Sequence, residues 1–164
     1  MPAPEPIALR PLDAGDAAAA RALLAGAWNG GPHRDAARDA LEMALTGTGE
    51  ESRGIVAEQH GALVGLVAYG MVAGSEGAGK LHLVAVAPSA RRRGVGRLLC
   101  GAAFAQLESV RARLVIAEMA DDPRLAAASA LLAQFGLREE ARVPDFYADG
   151  RALRIMRGSW RADK

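Results

Sequence analysis

Cysteine is nearly absent: Cys100 is the only one in 164 residues. That excludes an internal disulfide and any zinc site built on cysteines. Excess charge of one sign is missing too. The formal net charge is +1, so no global basic field points to nucleic acid or to a membrane surface. No apolar run reaches membrane-spanning length. The opening Met1-Pro2-Ala3-Pro4-Glu5-Pro6 is proline-rich and lacks the cationic-then-apolar order of a secretory signal. The expectation is therefore a cytoplasmic protein with neither a membrane nor a nucleic-acid partner. Aromatic residues make up only 4% of a chain that is 51% hydrophobic, and alanine fills much of the helix-like sequence. The length suits one domain with a real core, taken as residues 1–164 with a disordered tail over 1–5.

The most informative stretch runs from Leu81 to Leu99. Leu81-His82-Leu83-Val84-Ala85-Val86-Ala87 is short and nearly all apolar, the pattern of a strand buried on both faces. Pro88 and Ser89 end it. Arg91-Arg92-Arg93 follow, then Gly94-Val95-Gly96, and an amphipathic helix begins at Gly96 or Arg97. A strand, a basic glycine turn and a helix together build an anion cradle. The first-turn amides lack intrahelical acceptors, the helix dipole adds positive charge there, and glycine lets the backbone approach the anion closely.

Along the rest of the chain, residues 7–10 alternate as a short strand, and Asp13 or Asp16 can cap a helix running to about Gly26. A second helix spans 33–45. Strands at 54–59 and 62–72 meet at His60-Gly61, a hairpin turn. Gly74-x-x-x-x-Gly79-Lys80 spells most of a P-loop, but Leu81 stands where Ser or Thr is required and a strand follows instead of a helix, so it reads as a connection. The helix at 97–110 places Leu98, Leu99, Ala102, Ala105 and Gln106 at helical spacings. A strand at 114–118 precedes a helix opened by Asp121-Asp122-Pro123 and closed by Gly136. Residues 137–143 and 152–156 form a final hairpin around Ala148-Asp149-Gly150. This order implies a mixed sheet with helices on both faces.

Arg91-x-x-Gly94-x-Gly96 after Val84-x-Val86-x-Pro88 resembles the acetyl-CoA signature of the GCN5-related N-acetyltransferases, the GNAT superfamily. Val64-Gly65, Phe135-Gly136-Leu137 and Asp145-Phe146-Tyr147 extend the likeness over most of the chain. It implies the GNAT fold, an α/β (α+β) arrangement in which a mixed sheet of about six or seven strands is flanked by about four helices. It also implies acetyl-CoA as co-substrate, no metal, and direct transfer to a primary amine on a small molecule or a peptide. The chain would act as a monomer or a homodimer.

Arg91, Arg92, Arg93, Gly94, Val95, Gly96 and Arg97 are assigned to the cofactor diphosphate, with the amides doing most of the holding and the arginines adding rim charge. By resemblance, Val84, Ala85 and Val86 meet the pantetheine arm, and the Val86 amide is the oxyanion donor, a contribution of about 3 kcal/mol. Alternation places Lys80, His82, Val84 and Val86 on one strand face. His82 is the candidate base; the alternative is a hydrogen-bonded core histidine. Some arylalkylamine-acetylating relatives carry histidine at the matching position, while the glutamate of histone-acetylating members corresponds to Lys80. Glu118, at the end of the next strand, is a second base candidate, or else a solvated carboxylate.

The family's usual acid, a tyrosine four residues before the glycine of the Gly-Phe-like pair, is here Leu132. Tyr147 is the substitute donor, or else it packs the closing hairpin. Trp28 and Asn29 match the region that shapes the acceptor pocket. Cys100 is read as a buried thiol, and His33 and His60 as solvated. Two rival readings stand beside the enzyme. One is a non-catalytic acyl-CoA-binding sensor, favoured by Leu132. The other is RNA binding through the arginine cluster, which the near-neutral charge opposes.

Overall fold

The structure, a computed structural model, describes residues 5–28, 33–47 and 51–159. Their order is β1 (Ala8–Pro11), α1 (Ala17–Ala27), α2 (His33–Thr46), β2 (Arg53–Gln59), β3 (Ala62–Met71), β4 (Ala78–Val86), α3 (Val95–Ser109), β5 (Leu114–Ala120), α4 (Ala126–Gln134), β6 (Arg138–Ala148) and β7 (Arg151–Ser159). The strands form one seven-stranded sheet in the order β1-β2-β3-β4-β5-β7-β6. Only β4 and β5 pair in parallel, because α3 carries the chain across between them. The mixed sheet expected from the sequence is therefore present, and its helices cover both faces. Among the described residues no helix is long and apolar enough to cross a membrane.

Local chemistry explains the boundaries. Asp13 and Asp16 form a reciprocal capping box just before α1, which satisfies amides that would otherwise lack partners. His60 and Gly61 both take positive φ, the geometry of a two-residue hairpin between β2 and β3. Asp122 caps the turn that leads into α4, and Gly136, at φ +84°, ends that helix in the left-handed conformation that glycine adopts without penalty. Lys80 lies inside β4, so the P-loop-like stretch is a connection running into a strand. The β6–β7 hairpin is longer than the sequence suggests, and it is tightened by the Gly150 amide donating to Asp145 Oδ1 at 2.7 Å.

Two cores flank the sheet. One packs α3 and Leu132 of α4 against Leu81, Val67, Val115 and Ala117. The other packs α1 and α2 against Leu66, Ala68, Leu83 and Ala85. The buried stripe of α3 is Val95, Leu99, Cys100, Ala103, Phe104 and Leu107. The helix begins one residue earlier than expected, and Leu98, Ala105 and Gln106 lie off this stripe and are exposed.

Leu81 belongs to one core and Leu83 to the other, although simple alternation would keep them together. The register explains this. Leu83 pairs with Ala68 and Leu81 with Tyr69, so His82 is the extra residue of a β-bulge. The expected single face of Lys80, His82, Val84 and Val86 is thereby corrected. Val84 and Val86 pack toward α3, while Lys80 and His82 lie on the α1–α2 face.

Candidate active site

The cradle lies where β4 gives way to α3. Gly94 is the N-cap of α3, with φ +79° and ψ +4°, a conformation that costs an L-residue with a Cβ about 1–2 kcal/mol. Among the described residues nothing lies within 4 Å of where its Cβ would be, so the approach to the backbone is open. The first helical bond runs from the Leu98 amide to the Gly94 carbonyl. The amides of Val95, Gly96 and Arg97 precede it and have no intrahelical acceptor. Two further glycines let the helix sit close. A Cβ on Gly65 would lie 2.8 Å from Leu99 Cδ1 and 2.9 Å from Val95 Cγ1, and one on Gly96 would lie 3.2 Å from Leu131 Cδ2 of α4.

Beside the cradle the sheet opens. Pairing of β4 with β5 runs from Ala78–Leu114 to Leu81–Ala117 and stops there, although β4 continues to Val86. The Ala87 amide donates to the Val64 carbonyl at 2.9 Å. Antiparallel ladders alternate, so the N–H and C=O groups of Val84 and Val86 turn away from β3 and into the opened seam. Ala85 does the reverse: its backbone faces β3 and its side chain is buried beneath α1 and α2, so it presents nothing to the seam. Arg91 makes contacts of its own. Its guanidinium donates to the carbonyls of Val86 at 3.3 Å and Ala27 at 3.2 Å, tying the cradle to the end of α1. Arg92, Arg93 and Arg97 are exposed at the rim.

On the opposite face the seam meets a polar cleft. His82 Nε2 lies 3.4 Å from the Glu51 carbonyl. Burial pushes its imidazole below the ordinary pKa, and the nearby Lys80 ammonium acts in the same direction, against the Glu51 carbonyl and Glu118. Lys80 Nζ and Glu118 Oε2 pair at 3.0 Å. Tyr147 is half-buried, and burial followed by the Glu118 carboxylate raises its phenol pKa. Its ring meets His33 edge-on at 4.9 Å, and His33 meets Trp28 at 6.1 Å.

His33 is thus no solvated helix-start residue. Its Nε2 is buried without a partner among the described residues, and burial lowers its pKa. His60 is exposed and paired with Glu5, and Asn29 lies outside the described residues. Leu132 is only 4% exposed and sits in the α3-side core, where it can donate no proton. Cys100 is fully buried and its thiol is pushed up to about 12, which leaves it inert.

The structure therefore brings together His82, Glu118, Tyr147 and Trp28 on one face, and the α3 amides with Val84 and Val86 at the seam. Sequence reasoning missed Lys80 as the partner of Glu118, the Glu51 carbonyl, and His33. Gly70 carried a signal: a glycine inside an apolar strand marks close backbone approach.

Comparison with known proteins agrees with this geometry. The family model for the acetyltransferase (GNAT) family matches residues 18–136. No curated protein sequence matches significantly. Solved structures match over nearly the whole chain. A GNAT-family protein from Desulfovibrio desulfuricans superposes with TM-score 0.83 at 23% identity, covering 94% of this chain and 99% of its own. The ribosomal-protein-S18-alanine N-acetyltransferase of Escherichia coli gives TM-score 0.77 at 20% identity, with 97% of each chain covered. A ribosomal-protein-alanine N-acetyltransferase from Brucella melitensis gives 0.70 at 23% identity over 93% of this chain and 99% of its own.

Proposed function

This chain belongs to the GNAT acetyltransferase family, and on that premise we propose that it moves an acetyl group from acetyl-CoA to a primary amine by direct attack in a ternary complex. The observation that carries the reading is the seam. β4–β5 pairing ends at Leu81, with the free amides of α3 on one side of the opening and His82 on the other.

The residues fit the co-substrate. The amides of Val95, Gly96 and Arg97 suit a diphosphate, Gly94 leaves the approach clear, and Arg92, Arg93 and Arg97 add rim charge. Acetyl-CoA supplies an activated thioester acyl group. The Val86 amide, pointing into the seam, donates a hydrogen bond to the oxygen on which charge develops, a preorganised contribution of about 3 kcal/mol. His82, kept neutral by burial, accepts the amine proton directly or through water. Glu118, held by Lys80, and the Trp28–His33–Tyr147 wall line the acceptor side. Tyr147 returns a proton to the departing sulfur, a modest requirement because a thiol of pKa near about 8.5 already leaves tolerably as an anion.

The acceptor is a small amine or a peptide amine. Two structural relatives are named for alanine of a ribosomal protein, which makes a peptide N-terminus the first class to test. The expected result is release of free coenzyme thiol on mixing acetyl-CoA with an amine and peptide panel, together with loss of that release in His82→Ala. The buried Leu132 in place of the usual acid favours the second reading, an acyl-CoA sensor. Tight acetyl-CoA binding with no turnover across the panel selects the sensor.

A further inference from the structure

The segment Glu51–Ser52 is threaded between Gly47, four residues before it, and Gly70 of β3. A Cβ on Gly70 of β3 would lie 2.0 Å from the Glu51 oxygen, 2.3 Å from its carbonyl carbon and 2.8 Å from Ser52 N. A Cβ on Gly47, just past α2, would lie 2.3 Å from the Ser52 oxygen. All of those neighbours are backbone atoms, which cannot swing aside as a side chain does. Neither glycine has the left-handed φ that would explain it by conformation. Both are required for space.

What that space admits is the Glu51 carbonyl, which lies within 3.4 Å of His82 Nε2. Gly70 pairs with Lys80 in the β3–β4 register, and the bulge at His82 follows one pair further on, after Tyr69–Leu81. One glycine thus lets a peptide plane cross the sheet at the point where the imidazole emerges. A carbonyl oxygen can only accept, so a hydrogen bond here requires the proton on Nε2. In the neutral ring the basic lone pair is then on Nδ1.

We infer that the Glu51 carbonyl, admitted by Gly70 while Gly47 makes room for the adjoining Ser52 carbonyl, is a positioning group that holds His82 as its Nε2–H tautomer and leaves Nδ1 as the nitrogen that receives the proton. The inference rests on the reading of His82 as base, but its structural half is measurable without turnover.

The test is long-range proton–nitrogen NMR on protein labelled at histidine nitrogens, with the His82 signals assigned by their loss in His82→Ala. The parent protein is expected to show His82 protonated at Nε2 and bare at Nδ1. A proton on Nδ1, or an average of both tautomers, overturns the inference. Gly70→Ala is expected to mix the tautomers and lower kcat by about tenfold to a hundredfold, as misplacement of a reacting group does, with KM for acetyl-CoA unchanged. If Gly70→Ala retains both the parent spectrum and the parent kcat, the role of Gly70 is lost. If it does not fold, the parent spectrum alone decides. An Nε2–H tautomer together with full turnover in His82→Ala upholds the tautomer assignment and removes the base reading.

Discussion

The cradle at the start of α3 and the cleft on the α1–α2 face do their work with different materials. The cradle is made of backbone: amides at a helix start, a left-handed glycine and the seam-facing groups of Val84 and Val86. The cleft is made of side chains from separate elements: Trp28 at the end of α1, His33 on α2, His82 and Lys80 on β4, Glu118 on β5 and Tyr147 on β6. Backbone groups come with the fold and tolerate change in the side chains around them. The cleft has no such protection, so on the proposed reading acceptor choice would drift while co-substrate binding stays put.

If that contrast is sound, substitutions should separate the two regions. The largest effect belongs to His82→Ala, which should lower kcat by about a hundredfold or more and leave acetyl-CoA affinity nearly unchanged by calorimetry; unaltered turnover removes His82 from the chemistry. Gly65→Ala should act on the cradle from beneath. Its Cβ would press on Leu99 and Val95 within 3 Å, costing about 1–3 kcal/mol of stability, seen as a lower Tm, and shifting the α3 amides so that acetyl-CoA binds more weakly. Gly94→Ala meets no atom but must hold φ near +79°. It should cost about 1–2 kcal/mol and raise the acetyl-CoA Kd with little change in kcat. A Kd that stays put would move the cradle elsewhere.

A pH profile sharpens the cleft side. Burial lowers the His82 pKa, and a base must be neutral to act. The acidic limb of kcat/KM should therefore fall below the ordinary imidazole value of about 6.5, and a limb at or above that value contradicts the buried base. Stability follows the same sign. Burial depresses the folded-state pKa of both His33 and His82, so as pH falls below the ordinary value the unfolded chain takes up protons that the folded chain resists. Denaturant midpoints should decline there. The smallest effect belongs to the rim: Arg92→Gln with Arg93→Gln should raise the acetyl-CoA Kd by only about two- to fivefold, and less at high salt.

Much of the cradle was legible in the chain because its parts are contiguous. A branched apolar run, Pro88, the arginines, Gly94 and Gly96 lie within one short stretch, and each acts locally. The contacts of Arg91 were not legible for the opposite reason: its partners include the Ala27 carbonyl, far away in sequence. The facing of His82 was misjudged because alternation holds only in an unbroken ladder, and a bulge is a property of two strands in register. His33 read as solvated because nothing near it in sequence announces that Tyr147 will close over it.

The order of elements, the hairpin turn at His60-Gly61, the cap at Asp122 and the glycine start of α3 were determined by the chain itself, since each depends on neighbours a few residues apart. Where β4 parts from β5, which side of the sheet His82 occupies, and which carbonyl its ring meets were decided only on assembly. Those depend on register and on backbone contacts between segments with no local knowledge of one another.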